Sequence, residues 1–171
     1  NWANRPANSL TTIFLPWLPQ TTATIDKRRV ALQTLRTEYP EVAWKIILTL
    51  LPNQHQTSTG SRKPIWRKSI PPDWTKGVTD EEYRDQVSIY ADMAVDMAKR
   101  DINKLNEIIS NLDHLPQTSF EKAIDHLSSE AITSKPENER VGLWNGLMKF
   151  VSKHKRYAGE KWALPSDLVL K

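Results

Sequence analysis

The sequence lacks cysteine altogether among its 171 residues. A disulfide framework, a thiolate zinc site and a cysteine nucleophile are therefore excluded. The chain also contains no Gly-x-x-x-x-Gly-Lys phosphate loop and no Gly-x-Ser-x-Gly nucleophile elbow. Nucleotide hydrolysis by a P-loop and ester hydrolysis by an elbow serine are accordingly not expected from these residues.

Long apolar runs are missing too. The densest apolar stretch, residues 44–51, is interrupted by Lys45 and Thr49 and is shorter than the roughly 18 residues that a membrane span needs. We expect no signal peptide at the start of the chain, and a composition of 39% hydrophobic and 26% charged residues is ordinary for a globular protein. We therefore expect a cytoplasmic protein without a membrane partner. Because the chain starts at Asn1 and stops shortly after a helix-like start at Pro165, we also expect one helical domain over residues 1–171 that is a fragment of a larger protein.

Candidate catalytic groups do not assemble into a site. The four histidines include no His-Glu-x-x-His pair. The sequence twice places an aspartate directly before a histidine, at His114 and His126, but adjacent residues on a helix point in different directions. We therefore predict no enzyme, no cofactor and no metal. One alternative is an enzyme fragment whose other catalytic residues lie elsewhere, with His55 as its residue of interest.

Helical periodicity runs through most of the chain, and strand patterns do not. Apolar stripes predict six helices, a short helix near 8–15 and the start of another at the end; the six lie near 25–38, 40–51, 79–100, 102–113, 119–132 and 136–155. Since the turns between successive helices are short, neighbouring helices should pack antiparallel. The predicted fold class is all-α, with antiparallel helical hairpins stacked as a HEAT/TPR-like solenoid segment. An irregular helical bundle is the alternative.

Capping signals and stripes give these helices their predicted starts and faces. Asp101 is a predicted N-cap, and Ser/Thr residues followed three positions later by glutamate predict capping boxes at Thr79/Glu82, Thr118/Glu121 and Ser134/Glu137. The predicted core stripes include Val30, Ala31 and Leu35 in one helix, Ala43, Ile46, Ile47 and Leu50 in the next, and Val141, Trp144, Leu147, Met148 and Val151 in the last. Trp44 and Trp144 are both expected in the core.

Residues 52–78 form a long insertion rich in proline, tryptophan and basic residues. Connections of this length between helices are often functional or disordered, and Trp66 and Trp74 are expected to hold this one against the helices. Aromatic and arginine side chains in one patch are typical of binding hot spots. A second basic cluster lies near the end of the chain. The predicted interaction residues are Arg62, Lys63, Trp66, Arg67, Lys68, Trp74, Lys153, Lys155 and Arg156.

Six phrases of the sequence carry a resemblance to a known group of proteins. They are NRPANSL (4–10), IFLPWLPQT (13–21), LLPNQHQTS (50–58), PIWR (64–67), LSSE (127–130) and VSKH (151–154). Together they resemble the helical-repeat region of large bacterial proteins, some of which look like STAND-type (AVAST-like) antiviral NTPases. The resemblance spans nearly the whole chain. It implies a sensor arm that binds a trigger protein, with the ATPase and effector in other domains.

The functional prediction follows from these patterns. We expect a non-enzymatic helical-repeat module that binds a protein partner, or other domains of the same chain, or serves as a scaffold. The alternative is a nucleic-acid-binding module that uses the basic residues of the 61–76 loop and of residues 149–156. Its affinity would fall steeply with salt, because phosphate contacts release counterions.

Overall fold

The computed structural model describes residues 6–52, 77–160 and 163–165. Within these ranges the secondary structure consists of eight α-helices and one 3₁₀ turn, and no strand. The helices are α1 (Pro6–Phe14), α2 (Ile25–Glu38), α3 (Pro40–Leu50), α4 (Asp80–Ala98), α5 (Ile102–Ile109), α6 (Gln117–Leu127), α7 (Glu130–Thr133) and α8 (Glu137–Arg156), and the 3₁₀ turn is Leu112–His114. The all-α prediction is confirmed for the described residues. The insertion at 52–78 lies almost entirely outside them.

The chain divides into two compact units, Asn1–Met93 and Ala94–Lys171, so that the division falls within α4. In the first unit, α1, α2 and α3 pack against one another. Tyr39 both ends α2 and precedes α3, and Pro40 opens α3 at the first helical position, where its missing N–H is not needed. Leu32 of α2 is fully buried, as is the predicted stripe of α3, whose apolar members are Ala43, Ile46, Ile47 and Leu50.

The buried face of α2 differs from the prediction. Val30 is 61% exposed and Ala31 is exposed, whereas Arg28 and Leu32 are buried. The predicted buried face of α2 was wrong because one of its buried positions is an arginine. A pattern of apolar residues alone does not identify a buried arginine. The flexible stem of arginine can be buried when its charged end finds an acceptor.

Arg28 and Tyr90 close the end of α1. The hydroxyl of Tyr90 donates a hydrogen bond to the Phe14 carbonyl at 3.0 Å, and Nη1 of Arg28 donates to the Leu15 carbonyl at 3.4 Å. Burial raises the pKa of Tyr90 to about 12, against an opposing effect of the nearby Arg28 charge. Burial likewise lowers the pKa of Arg28. These bonds supply partners for carbonyls at a helix C-terminus, which have none within the helix itself.

The capping box at the start of α4 is confirmed. The Thr79 N–H donates to Glu82 Oε2 at 2.9 Å, and the Glu82 N–H donates to Thr79 Oγ1 at 3.2 Å. Asp101 is confirmed as the N-cap of α5, since its carboxylate accepts from the N–H groups of Asn103 and Lys104. Both caps satisfy donors that the first helical turn leaves without an acceptor.

The other two predicted capping boxes were wrong. The helices begin after prolines instead: α6 follows Pro116 and α8 follows Pro136, and neither start has a side-chain cap. The extended backbone of both prolines moves the helix start to the next residue. Ser134, predicted as a cap of α8, instead ends α7, and its hydroxyl donates to the Glu130 carbonyl at 2.6 Å.

In the second unit α5 packs against α8, and α6 packs against α7. The predicted helix at 119–132 is divided into α6 and α7, and the one at 102–113 ends at Ile109, before the 3₁₀ turn. Ile108, Ile109 and Leu112 are fully buried here. The α5–α8 pair joins helices that are not successive in the sequence. The stacked solenoid stays a prediction.

Candidate interaction surface

Helix α8 has apolar residues on two different sides. Leu143 and Phe150 are buried, and they pack into the second unit. Val141, Trp144 and Met148 are 47%, 64% and 47% exposed. The prediction that Trp144 belongs to the core was therefore wrong. Trp144 lies on a stripe with helical periodicity, but this stripe faces solvent. The buried side of α8 is the one that carries Leu143 and Phe150.

Four apolar side chains of α8, with a charged side chain at each end, follow one line along the helix. Beginning at the N-terminus, the positions are separated by four, three, four, three and four residues, and they are Glu137, Val141, Trp144, Met148, Val151 and Lys155. The mean spacing of about 3.6 residues equals one turn of an α-helix, so these side chains stay on one narrow line along the helix. We call these six residues the α8 stripe. Val151 is half-buried and the other five members are exposed.

An apolar groove of about 470 Å³ lies beside the α8 stripe. Its far wall comes from Leu127, the last residue of α6, and from Ile132 and Thr133 of α7. Its near wall is α8, which contributes Glu137, Arg140, Val141, Leu143, Trp144 and Leu147. Because the lining is mostly apolar, the groove extends the exposed apolar surface sideways from the stripe.

The last turn of α8 is basic and contains three of the nine predicted interaction residues. Lys153 Nζ lies 2.9 Å from Asp113 Oδ2, so part of its charge is already neutralised within the unit. Lys155 and Arg156 are exposed. A shallow depression of about 770 Å³ opens along this end, lined by Asn145, Met148, Lys149, Ser152, Lys153, Arg156 and Tyr157.

The other six predicted interaction residues, Arg62, Lys63, Trp66, Arg67, Lys68 and Trp74, lie outside the described residues. Trp144 and Met148 were predicted as core residues, and their exposure was not predicted. A signal for it was available, since the residues at 143, 147, 150 and 154 form a second helical stripe on the other side of α8.

His154 of α8 is buried near Asp113 of the 3₁₀ turn. Its ring contacts that of Phe150, with centroids 4.4 Å apart, and its Nδ1 accepts a hydrogen bond from the Leu164 N–H at 3.1 Å. Nε2 lies 3.6 Å from Asp113 Oδ2. Since Nδ1 accepts, the neutral ring carries its proton on Nε2. The aspartate near His154 is therefore Asp113, which is distant from it in the sequence. His114, which directly follows Asp113 in the sequence, lies 3.8 Å from the other carboxylate oxygen of Asp113.

The burial of His154 predicts a loss of stability in mild acid. Burial lowers its pKa below 6.5, with a smaller opposing effect of Asp113, and burial also lowers the pKa of His126. Because each pKa is lower in the folded chain than in the unfolded chain, folding favours the neutral form of both histidines. Their contribution to stability is complete at a pH above the pKa of the unfolded chain, and it is lost as the pH falls toward the pKa of the folded chain. We expect the free energy of unfolding, measured by urea denaturation followed by circular dichroism, to fall between about pH 7.5 and about pH 5.

The matched control for this prediction is His154→Gln, whose side chain can still accept a hydrogen bond but does not titrate. The variant should lose part of the pH dependence, and His126→Gln should lose another part. An unchanged urea midpoint of the unaltered chain across this range would contradict the prediction.

The chain matches no protein-family model, no curated protein and no solved structure. Within the described ranges no group of three or more histidine, cysteine, aspartate or glutamate residues could hold a metal ion. Among the helices that the structure describes, none combines the length and the apolar character of a membrane span.

Proposed function

We propose that this chain is a non-enzymatic helical interaction module and that its contact surface is the α8 stripe with the adjoining groove. The observation that carries the proposal is the exposure of Trp144, at 64%, between the exposed Val141 and Met148. Tryptophan is one of the three residue types enriched at binding hot spots, with tyrosine and arginine. A row of exposed apolar residues beside an apolar groove, bordered by charged residues, is typical of a protein-binding surface.

The larger setting is part of the same proposal. The resemblance to the helical-repeat region of STAND-type antiviral proteins supports a place for this module in the sensor arm of a bacterial protein, in the cytoplasm. There it would bind a trigger protein or other domains of its own chain. A helical-repeat arrangement suits this role, because stacked helices offer extended binding surfaces.

Affinity capture with a matched pair of variants tests the interaction surface. The chain is immobilised, incubated with a nuclease-treated bacterial lysate prepared with and without phage challenge, and the bound proteins are identified by mass spectrometry. A specific partner should be lost with Trp144→Glu and retained with Val30→Glu, which adds the same charge at an equally exposed valine of α2. The purified partner must then bind the purified chain with the same dependence. Equal binding by both variants would reject the α8 stripe as the contact surface.

Nucleic-acid binding is a second candidate, supported by the basic end of α8. Lys149 and Arg156 line the depression there, and Lys155 is exposed. Binding of this kind should weaken by orders of magnitude between about 50 mM and 200 mM salt if six or more phosphates are contacted. Fluorescence anisotropy with a labelled oligonucleotide measures it, and Lys155→Ala with Arg156→Ala should lower the affinity. Salt-independent or undetectable binding would reject this candidate.

A further inference from the structure

We propose that the partner of the α8 stripe is a second copy of this chain, with the two α8 helices paired antiparallel about a twofold axis near position 146. The inference rests on the proposed interaction surface and names its occupant. It is carried by the charge at the two ends of the stripe. Glu137 lies at the N-terminal end and Lys155 at the C-terminal end, both exposed and both on the same line as the apolar residues.

The charges in the two end turns of α8 are segregated by sign. The first turn contains Glu137 and Glu139, and the last turn contains Lys153, Lys155 and Arg156. Antiparallel pairing places the acidic turn of each copy beside the basic turn of the other, and it also opposes the two helix dipoles favourably. Parallel pairing would place like charges together at both ends. The segregation therefore selects the antiparallel arrangement, as charged flanking positions do in coiled coils.

Two of these charges are already paired within one copy. Glu139 Oε2 lies 3.0 Å from Lys135 Nζ, and Lys153 lies 2.9 Å from Asp113. The charges that lie on the stripe itself are Glu137 and Lys155.

The register follows from the symmetry of the stripe. A twofold axis at position 146 pairs each residue with the residue of the second copy that lies equally far from 146 on the other side. In this register each apolar residue of the stripe meets another apolar residue. Val141 meets Val151 of the second copy, Trp144 meets Met148 of the second copy, and Glu137 meets Lys155 of the second copy. All six contacts of the stripe are thus complementary in one register. A shift by one heptad would place Glu137 or Lys155 against an apolar residue.

The size of the surface sets the expected strength. From Glu137 to Lys155 the helix rises about 27 Å, and the groove beside Trp144 adds apolar area along part of that length. This is a small interface of the weak and transient class. We expect a dimer with a dissociation constant on the order of 10 µM.

Sedimentation equilibrium of the full chain measures the association. The mean mass should rise from one chain toward two as the concentration passes through the dissociation constant. Trp144→Glu should abolish the rise and Val30→Glu should leave it unchanged, with far-UV circular dichroism showing that both variants are folded. A chain that stays monomeric to several hundred micromolar, or a dimer that Trp144→Glu leaves intact, overturns the proposal.

Charge exchange tests the antiparallel register. Glu137→Lys and Lys155→Glu should each weaken self-association, because each leaves like charges facing across the pair. A mixture of the two variants should associate again, since position 137 of each chain then faces the opposite charge at position 155 of the other. If the mixture associates no better than either variant alone, the register is wrong.

Cross-linking gives an independent readout, helped by the absence of cysteine from the chain. The double variant Glu137→Cys with Lys155→Cys should form a covalent dimer on mild oxidation. Glu137→Cys alone should not, because the two copies of position 137 lie about 27 Å apart in an antiparallel pair. Efficient cross-linking by the single variant would indicate parallel pairing and overturn the proposal.

The outcomes separate this inference from the function on which it rests. If the chain is monomeric but a different protein binds it in a manner lost with Trp144→Glu, the interaction surface stands and the second copy is not its occupant. If Trp144→Glu alters neither self-association nor capture, the proposed interaction surface fails as well.

Discussion

Trp44→Ala is expected to lower the free energy of unfolding by about 3–5 kcal/mol, whereas Trp144→Ala should change it by less than about 1 kcal/mol. The two residues are of one type and both lie on helices. Trp44 is 3% exposed in α3 and Trp144 is 64% exposed on α8. Removing the first ring leaves a cavity in the core of the first unit. Removing the second uncovers little that water does not already reach.

Chemical denaturation followed by far-UV circular dichroism measures this difference, at about 1 µM chain so that association does not contribute. The two variants serve as controls for each other, because each removes the same side chain. A loss of several kcal/mol for Trp144→Ala would mean that this ring is buried and would remove the main support for the interaction surface. A small loss for Trp44→Ala would contradict the described core of the first unit.

Gly146→Val is expected to lower the free energy of unfolding by about 1–3 kcal/mol. Gly146 faces α5, and a β-carbon placed there would lie 3.1 Å from Cγ2 of the buried Ile109. One turn earlier, a β-carbon at Gly142 would lie 3.1 Å from Nδ2 of Asn106. The two glycines allow α8 to approach α5 closely, so that a branched side chain at Gly146 would push the helices apart. The small gain in helix propensity over glycine, about 0.5 kcal/mol, does not offset this clash.

The matched control is Gly159→Val, since a β-carbon at Gly159 has no neighbouring atom within 4 Å among the described residues. This variant should keep the stability of the unaltered chain to within about 0.5 kcal/mol. Urea denaturation of both variants by circular dichroism makes the comparison. Equal stability of the two variants would show that α5 and α8 can separate without cost, contrary to the described packing.

Local signals in the sequence predicted much of the helical architecture. The bounds of α2 were predicted to the residue, and those of α3 to within one residue at Leu50. Pro40 marks the start of α3 and the Thr79–Glu82 capping box marks the start of α4. Each of these signals acts through atoms a few residues apart, so the sequence alone is enough to read them. The capping boxes predicted for α6 and α8 were wrong for a similarly local reason, because the helices begin directly after Pro116 and Pro136 and not at the nearby Thr118 and Ser134.

The candidate site was predicted less well. The basic end of α8 was recognised through Lys153, Lys155 and Arg156, because charge is visible in a sequence. The sequence did not show that Lys153 is paired with Asp113, a residue of the 3₁₀ turn. The partnership joins residues 40 positions apart, and only packing between α5 and α8 brings them together.

The all-α class and most helix positions could be predicted from the amino-acid sequence alone, and the sequence itself shows that familiar catalytic motifs are missing. All three depend on residue type and on spacing within a few helical turns. Helix α8 marks the limit. It carries one apolar stripe through Trp144 and another through Phe150, and both have helical periodicity. Tertiary packing chose between them: α5 meets the side of α8 that carries Gly142 and Gly146, where the backbones can approach closely. That choice buries Phe150 in the core and leaves Trp144 exposed on the surface.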